Sequence, residues 1–242
     1  MKALVLAAGK SERLGGICGG VPKVMLPVSG TPILEHNLKY LKRQGIRDVA
    51  INVHYRPEVI CRFLKRKRGL GLKIVISHEP TLLGTAGAVK KLEAWLGRKP
   101  FLVLYGDNLT DFDIRKILAA HKRSKAWVTL GVYDPLKTLW SGIAAGLIRV
   151  DARGRVRKFA ERRGNPSIPS QVWVNAGVMV FSPQIFGCIP DGRFSDFGRN
   201  IFPKLLKLGK RVQVSDGARY VLASDTAEAW KITQKLFRSI KP

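Results

Sequence analysis

The sequence predicts an α/β fold in which a mostly parallel sheet carries helices on both faces and later strands extend it in mixed or antiparallel fashion. Two patterns predict this fold. Up to about residue 125, short apolar runs alternate with helical segments, and after residue 126 strand-like runs follow one another with little helix between them. The composition, with 45% hydrophobic and 25% charged residues in 242, is that of an ordinary globular protein that can bury a core.

The strands of the first half are four short apolar runs, each bounded by turn residues and apolar enough to be buried on both faces. They cover residues 2–7, 48–53, 72–77 and 100–105. The segments between them have helical spacing and cover residues 33–44, 57–68, 86–96 and 114–125. Gly45 closes the first of these helices and Pro57 opens the second. This order implies right-handed crossovers and therefore parallel strands.

The second half adds strands to the same sheet, which we predict at residues 127–133, 145–150, 155–160 and 172–181. Helices at 183–189 and 197–208, strands at 211–215 and 219–222, and an amphipathic helix at 227–238 complete the order. No internal repeat and no Ser- or Gly-rich linker interrupts it. We therefore expect a single domain over residues 1–242, with one half at about 1–125 and the other at about 126–242.

The charge of the chain is unusual, because 43 Lys and Arg against 17 Asp and Glu leave a formal net charge of +26. Such a charge attracts anionic partners, whether nucleotides, sugar phosphates, nucleic acids or acidic lipids. The three cysteines fit neither a disulfide framework nor a zinc site, which favours a reducing, cytoplasmic location. The apolar run at residues 3–8 is short for a signal peptide, and no run approaches a membrane span, so no membrane partner is expected.

A glycine-rich loop follows the first predicted strand, beginning at Gly9 and continuing through residues 15–20. Glycine at the end of a strand lets the backbone turn and direct several N–H groups at one anion. Arg13 and Lys23, one on either side of the loop, add full positive charges of the kind that a triphosphate and a leaving pyrophosphate need. The loop contains neither GxGxxG nor GxxxxGK[ST], so it is neither a dinucleotide-binding nor a P-loop motif.

Several motifs occur in one characteristic order: LAAGKSERL at 6–14, VPKVMLPVSGTP at 21–32, PTLLGTAGA at 80–88, FLVLYGDNLTDFD at 101–113 and NAG at 175–177. This series resembles the sugar-1-phosphate nucleotidyltransferases over about residues 1–215, and most closely the short mannose- and heptose-1-phosphate guanylyltransferases. The chain departs from the family pattern in the loop, where Ser11 and Glu12 stand for Gly and Thr. It also departs at Arg162, where the family has Lys, and in its weak match to the last family motif.

The resemblance implies a Rossmann-like, three-layer α/β/α fold with nucleotide bound by the first half and sugar phosphate by the second. It implies a Mg²⁺-dependent enzyme in which a sugar 1-phosphate attacks the α-phosphorus of a nucleoside triphosphate in line and displaces pyrophosphate. The residues that we expect to form the site are Arg13 and Lys23 for catalysis; Leu6, Ala8, Gly9, Ser11, Glu79, Gly84 and Thr85 for the nucleotide; Gly146, Glu161, Arg162 and Asn175 for the sugar phosphate; and Asp107 and Asp225 for the metal.

The two metal ligands rest on different arguments. Asp107 follows a buried strand through Gly106, at the carboxyl end of a parallel sheet where ligands bind, and it matches the metal-binding Asp of the family. Asp225 has an equally good alternative role as the N-cap of the last helix, with Glu228 as its capping-box partner. Asp216 is a third, more distant candidate.

Two residues bear on substrate choice. An ionised Glu79 would accept hydrogen bonds from N1–H and the N2 amine of guanine, which favours GTP over UTP or dTTP, unless Glu79 only pairs with a surface cation. Asn175 lies in an apolar strand, where its amide needs either a sugar hydroxyl or a backbone bridge. The sugar itself and the oligomeric state are not set by the sequence.

Three other functions stay open at this point. The substituted loop residues and the weak last motif would suit a non-catalytic relative that acts as a sensor or assembly subunit, with nucleic acid a partner that the charge allows but that we do not expect. The same site would also suit UTP, dTTP or CTP as the nucleotide. It would equally suit a non-sugar phosphate acceptor, such as phosphocholine or a cyclitol phosphate.

Overall fold

The computed structural model describes residues 1–9, 14, 19–142, 146–161 and 172–240. The strands in these ranges are β1 (Ala3–Leu6), β2 (Pro27–Val28), β3 (Thr31–Pro32), β4 (Asp48–Val53), β5 (Lys73–His78), β6 (Phe101–Tyr105), β7 (Asn108–Thr110), β8 (Val128–Tyr133), β9 (Leu139–Trp140), β10 (Gly146–Val150), β11 (Val156–Glu161), β12 (Trp173–Phe181), β13 (Val212–Ser215) and β14 (Tyr220–Ala223). The helices are α1 (Ile33–Arg43), α2 (Pro57–Arg66), α3 (Gly84–Lys91), α4 (Glu93–Leu96), α5 (Ile114–Ser124), α6 (Phe202–Lys207) and α7 (Ala227–Ile240).

In the described part of the chain, the central sheet has nine strands, of which seven follow the order β11-β10-β12-β6-β1-β4-β5. The neighbours β6, β1, β4 and β5 are parallel, as the strand–helix–strand order predicts. The long strand β12 is antiparallel to β6, β8 and β10, and β13 adds to β8 in parallel. Strands from the second half therefore extend the same sheet, and the mixed pairing predicted after residue 126 is confirmed.

Helices cover both faces of this sheet, and its central strands β1 and β6 are apolar and buried along nearly their whole length. Val5 of β1 packs in one cluster with α1, α2 and α5, whereas the adjacent Leu4 packs in another with α3, α4 and α6. Such division of neighbouring side chains between two cores requires a strand that is buried on both faces. The result is three layers, helix on sheet on helix.

The predicted helices begin and end close to the expected residues, with local differences. Gly45, at φ +79°, follows the end of α1, and Asp113 caps α5 by accepting a hydrogen bond from Arg115 N at 2.9 Å. The single helix predicted at 86–96 is instead the pair α3 and α4. The segment predicted at 183–189 is a 3₁₀ helix, and that at 197–208 begins with a π-helical turn over Phe197–Ile201 before α6.

A second, smaller sheet, β7-β14-β9, forms beside the main one and was not foreseen. The strand predicted at 219–222 belongs to it as β14, whose residue Ala223 pairs with Asn108 of β7. Strands of two or three residues such as β7 and β9 are too short for a recognisable alternation of apolar and polar positions, and pairing partners far apart in sequence leave no local signal.

The sequence Asn175-Ala176-Gly177 forms an irregularity in β12, where the register with β8 shifts between Asn175 and Met179. Gly177 has φ +74°, and a Cβ at this position would come within 2.8 Å of the Tyr105 Cβ atom. A left-handed residue in such close contact must be glycine. Asn175 itself still pairs with Val132 of β8, so the irregularity begins directly after it.

None of the helices in the described ranges combines the length and the apolar composition that crossing a membrane requires.

A buried histidine gives the fold a pH dependence. His121 is 2% exposed, its Nδ1 lies 3.0 Å from Thr129 Oγ1, and burial lowers its pKa from 6.5 to about 4. Between pH 6.5 and pH 4, the His121 ring therefore binds a proton in the unfolded chain and stays neutral in the folded chain. We expect the free energy of unfolding to fall as the pH drops from about 6.5 to about 4, by up to about 3 kcal/mol from this residue.

Denaturant unfolding at several pH values checks this expectation. His121→Gln should flatten the stability curve between these pH values, and His78→Gln, which replaces an exposed ring, should not. An identical slope for His121→Gln and the parent chain would contradict the assignment.

Candidate active site

A crevice of about 420 Å³ opens at the carboxyl ends of β1, β4 and β6. This is where an open α/β sheet places its ligands. Its described lining combines backbone from the strand ends with charged, amide and aromatic side chains. The lining comprises Leu6, Ala7, Ala8, Gly9, Lys23, Val24, Asn52, Leu82, Gly84, Thr85, Tyr105, Asp107, Asn108, Tyr133, Gly146, Glu161, Asn175, Phe194, Asp196, Arg199, Val221, Ala223 and Asp225.

Most of the site residues predicted from the sequence line this one crevice. Those that do are Leu6, Ala8, Gly9, Lys23, Gly84, Thr85, Asp107, Gly146, Glu161, Asn175 and Asp225. Ser11, Arg13 and Arg162 lie outside the described residues. Glu79 is the exception within them, because its side chain is fully buried and is absent from the described lining.

Lys23 lies on the floor of the crevice, at the start of a 3₁₀ helix, Lys23–Met25. Its ammonium contacts Asp107 Oδ2 at 2.5 Å and also contacts Asp225 Oδ1, and its side chain is 12% exposed. Burial by itself disfavours the ammonium, but the two carboxylates outweigh burial and raise the pKa of Lys23 above 10.5. Lys23 is therefore a permanent cation.

The two carboxylates meet because β7 and β14 pair. Asp107 immediately precedes β7 and Asp225 follows β14 by two residues, and Ser224 N donates to Asp107 O at 3.3 Å. Gly106 lets this corner approach β1, since a Cβ there would lie 2.5 Å from Leu6 O. The small sheet thus brings together two aspartates that the sequence separates widely.

The alternative role of Asp225 as the N-cap of the last helix is not what the structure has. Thr226 immediately precedes α7, and its Oγ1 accepts from Ala229 N at 3.2 Å, which makes Thr226 the N-cap. Glu228 accordingly lacks the position of a capping-box partner. Asp216, the third metal candidate, is exposed and does not belong to the described lining of the crevice.

Gly84 and Thr85 form a turn at the start of α3 that a distant segment holds in place. Gly84 has φ +75°, and Ser195 O accepts hydrogen bonds from Ala86 N at 2.9 Å and Gly87 N at 3.1 Å. Thr85 Oγ1 donates to Asp196 Oδ2 at 2.9 Å. Two of the first four N–H groups of α3, those of Ala86 and Gly87, are thereby used within the protein.

The sugar-side residues lie across three adjacent strands. Gly146 of β10 pairs with Glu161 of β11 and sits beside Asn175 of β12, whose Oδ1 accepts from Gly177 N at 3.2 Å. The carbonyl oxygen of the Asn175 side chain is thus bound within its own strand. These three residues lie together, as predicted, and their roles stay predictions.

Glu161 stands in an unfavourable electrostatic setting. Burial raises its pKa above 4.5, and Asp196 and Asp225 add to the rise while Arg199 opposes it. The carboxylate also lies against the π-helical turn, where a Cβ on Gly198 would come within 2.2 Å of Glu161 Oε2. A side chain at position 198 would therefore require the Glu161 carboxylate to move away.

The prediction that Glu79 reads a guanine base is wrong for this structure. Its carboxylate is 0% exposed, Oε1 accepts from Asn52 Nδ2 at 2.8 Å and Oε2 accepts from Leu83 N at 3.0 Å. A carboxylate that is closed off from the crevice and already bound by two donors does not reach a ligand. The surface alternative, pairing with a cation, does not hold either.

Sequence reasoning missed seven polar or aromatic residues that line the crevice: Asn52, Tyr105, Asn108, Tyr133, Phe194, Asp196 and Arg199. Asp196 directly precedes the π-helical turn and Arg199 lies in it. Phe194 is 57% exposed and lies beside Gly84. The sequence Asp-Phe-Gly-Arg at the start of a predicted helix is the signal that could have identified Asp196 and Arg199. No pattern in the sequence distinguishes Asn52 from a core residue of β4.

Comparison with known proteins gives a consistent match. The family model that matches the chain is described as Nucleotidyl transferase and covers residues 2–231. The UTP–glucose-1-phosphate uridylyltransferase of Synechocystis sp. is 30% identical over 222 residues, which cover 86% of this chain and 56% of that protein. The D-glycero-α-D-manno-heptose 1-phosphate guanylyltransferase of Campylobacter jejuni is 33% identical over 186 residues, covering 77% and 78%.

The chain therefore spans little more than half the length of the first of these relatives. Among solved structures, HddC from Yersinia pseudotuberculosis complexed with GMP-PN matches with a TM-score of 0.80 at 22% identity, covering 98% of this chain and 99% of that one. This likeness supports the fold alone, and the expected Rossmann-like three-layer architecture is confirmed.

The raised pKa of Glu161 generates a testable prediction about stability. Because the folded chain binds the Glu161 proton more tightly than the unfolded chain does, the contribution of this residue to stability decreases as the pH rises through the window above 4.5. We expect Glu161→Gln to raise the melting temperature at pH 8, without ligands, and to raise it less or not at all at pH 4.

Melting curves of both proteins across this pH range provide the measurement. Glu58→Gln, at an exposed helical carboxylate outside the crevice, is the matched control and should show no such pH-dependent gain. A gain for Glu161→Gln that is equal at both pH values would refute the assignment.

Proposed function

The chain belongs to the nucleotidyl transferase family, and from this premise we propose that it transfers a nucleotidyl group from a nucleoside triphosphate to a sugar 1-phosphate. In this reaction a phosphate oxygen of the acceptor forms a bond to the α-phosphorus, and the bond between the α-phosphorus and the bridging oxygen of pyrophosphate breaks. The observation that carries the proposal is the convergence of Lys23, Asp107 and Asp225 beside the end of β1.

The charges of the crevice argue for a divalent cation. Among the described lining residues, four carboxylates (Asp107, Glu161, Asp196 and Asp225) face two cations, Lys23 and Arg199. Where Asp107 and Asp225 meet Lys23, two carboxylates against one ammonium leave an excess of negative charge, which a divalent cation accompanying the triphosphate would neutralise.

The donor set fits magnesium. Two aspartates that converge on one point supply hard oxygen ligands, and Mg²⁺ takes one or two carboxylates and completes its shell with phosphate oxygens and water. The described residues contain no group of three or more His, Cys, Asp or Glu that would form a metal cage by themselves. Asp107 and Asp225 would hold the ion, which, when bound, supplies positive charge to the phosphates.

Lys23 keeps its own charge throughout, because its pKa is raised well clear of neutrality. It orients Asp107 and Asp225 and adds a fixed cation where negative charge accumulates on the leaving pyrophosphate. A phosphate monoester needs no strong base, so positioning and charge neutralisation account for the chemistry. Arg13 and Ser11 are proposed to complete the phosphate contacts from the glycine loop.

The two ends of the crevice suit the two substrates. The turn at Gly84 and Thr85 and the backbone at Leu6, Ala8 and Gly9 are proposed to hold the nucleotide. At the other end, Gly146, Glu161 and Asn175 are proposed to hold the sugar, with Arg162 at its phosphate. Both halves of the chain contribute to one sheet and one crevice, which supports a single catalytic domain.

We favour GTP as the nucleotide, although the argument from Glu79 no longer supports it. The support comes from the relative named a heptose 1-phosphate guanylyltransferase, which is matched over 78% of its own length. The uridylyltransferase among the relatives makes UTP the main competitor. Pyrophosphate release from GTP, UTP, dTTP and CTP, each with a panel of sugar 1-phosphates and with phosphocholine, decides between them.

Replacement of the converging charges tests the site. We expect Lys23→Ala, Asp107→Asn and Asp225→Asn each to lower turnover by a factor of about 10² or more, because each removes charge at the reacting phosphates. The measurement is pyrophosphate release with Mg²⁺ and the preferred substrate pair, together with a melting curve for each variant.

Asp216→Asn is the matched control, since Asp216 is an exposed aspartate outside the described lining, and it should retain parental turnover. Near-normal turnover of Asp225→Asn, or an equal loss in Asp216→Asn, would refute the assignment of Asp225. Absence of pyrophosphate release from the parent chain with every substrate pair would refute the proposed function.

A further inference from the structure

Glu79 occupies a position in the fold that its predicted role does not explain. It is a fully buried carboxylate, and each of its oxygens accepts a hydrogen bond from a different segment. Oε1 accepts from the side chain of Asn52 at the end of β4, and Oε2 accepts from the backbone of Leu83 just before α3. Burying a carboxylate is costly unless hydrogen bonds or an opposite charge compensate for the lost water, and here two hydrogen-bond donors do so.

Asn52 extends the connection to the first strand. Its Oδ1 accepts a hydrogen bond of 2.8 Å from Ala7 N, the residue that directly follows β1. One continuous chain of hydrogen bonds therefore runs from Ala7 through Asn52 and Glu79 to Leu83. Ala7 opens the glycine loop and Leu83 opens the turn at Gly84, so this chain joins the two segments that are proposed to hold the nucleotide.

The direction of donation along this series of hydrogen bonds is fixed by the backbone groups at its two ends. Ala7 N–H and Leu83 N–H can only donate, so each must face an acceptor. Asn52 meets the first with its carbonyl oxygen and must then present its amide donor to residue 79. Residue 79 therefore faces donors on both sides, from Asn52 and from Leu83, and only a group with two acceptors and no donor satisfies both. A carboxylate is such a group, and a carboxamide is not.

We propose that Glu79 is a positioning residue that, through Asn52, sets the spacing between the start of the glycine loop and the turn at Gly84. This inference rests on the proposed function, because it assigns these two segments to the nucleotide. Glu79 does not touch the base. Its loss weakens nucleotide binding by loosening both segments, and it leaves the sugar end of the crevice, built on β10, β11 and β12, unchanged.

An exchange of the two side-chain types tests the proposal. Glu79→Gln leaves one donor without an acceptor, and Asn52→Asp sets two carboxylates against each other. In the double variant Asn52→Asp/Glu79→Gln, the aspartate accepts from Ala7 N and from the glutamine amide, and the glutamine oxygen accepts from Leu83 N. The double variant therefore restores every hydrogen bond at an unchanged net charge.

The kinetic readout separates positioning from general destabilisation. Each single variant should raise the KM for the nucleotide by about tenfold or more and leave the KM for the sugar 1-phosphate within about twofold. The double variant should lower the nucleotide KM clearly below that of Glu79→Gln, and the carboxylate moved to position 52 in the crevice lining should keep it above the parental value. Thr129→Val is the matched control, because it removes a buried hydrogen bond to His121 away from the crevice, and it should lower stability without altering either KM.

A second readout does not depend on activity. In NMR-detected hydrogen exchange, the amide of Ala7 or of Leu83 should lose protection by about tenfold or more in Glu79→Gln and regain it in the double variant. If the parent chain releases no pyrophosphate, the proposed function fails, and exchange still tests the hydrogen-bond chain. If either single variant does not fold, the double variant is still expected to fold.

Three results would overturn the proposal: parental kinetics and exchange in Glu79→Gln, a double variant no better than Glu79→Gln, or equal changes in the KM values of both substrates.

Discussion

The contact of one buried ammonium with two carboxylates is the constraint on which the site depends. Lys23 enters from the segment after the glycine loop, Asp107 from the end of β6 and Asp225 from the end of β14. Each charge alone would be costly to bury, and together they offset one another. Their meeting requires the close approach of Gly106 to β1 and the pairing of β7 with β14, so the local geometry of three elements is specified by one cluster of charges.

Close backbone contacts give the crevice its shape where regular strands could not. Gly177 lets β12 bulge under Tyr105, Gly146 leaves room beside Asn175, and Gly198 brings the π-helical turn against Glu161. A Cβ atom at Gly177 or Gly146 would meet side-chain atoms of neighbouring strands, and one at Gly198 would displace the Glu161 carboxylate. The strands supply a rigid frame, and these glycines allow polar groups from different strands to converge on one volume.

The sequence allowed prediction of the features that repeat along the chain. The motifs identified 11 of the 23 described lining residues, and the strands of the parallel sheet followed from apolar runs. The small sheet did not, because β7 and β9 are too short to show a period. The burial of Glu79 did not either, because its two donors, Asn52 and Leu83, are set by tertiary contacts between β1, β4 and the turn before α3. A motif identifies a position in the fold, and the neighbours of that position decide what its side chain touches.

The contrast between a strongly basic chain and an acidic crevice has a physical explanation under the proposed function. A net charge of +26 produces a field that attracts polyphosphates from solution over a distance of about a Debye length, 8–10 Å. Inside the crevice, by contrast, the carboxylates of Asp107, Asp225, Glu161 and Asp196 outnumber the cations among the described lining residues. Under the proposed function, long-range attraction by the surface accelerates the encounter, and the excess of carboxylate where Asp107 and Asp225 meet Lys23 favours a nucleotide that arrives with its metal ion.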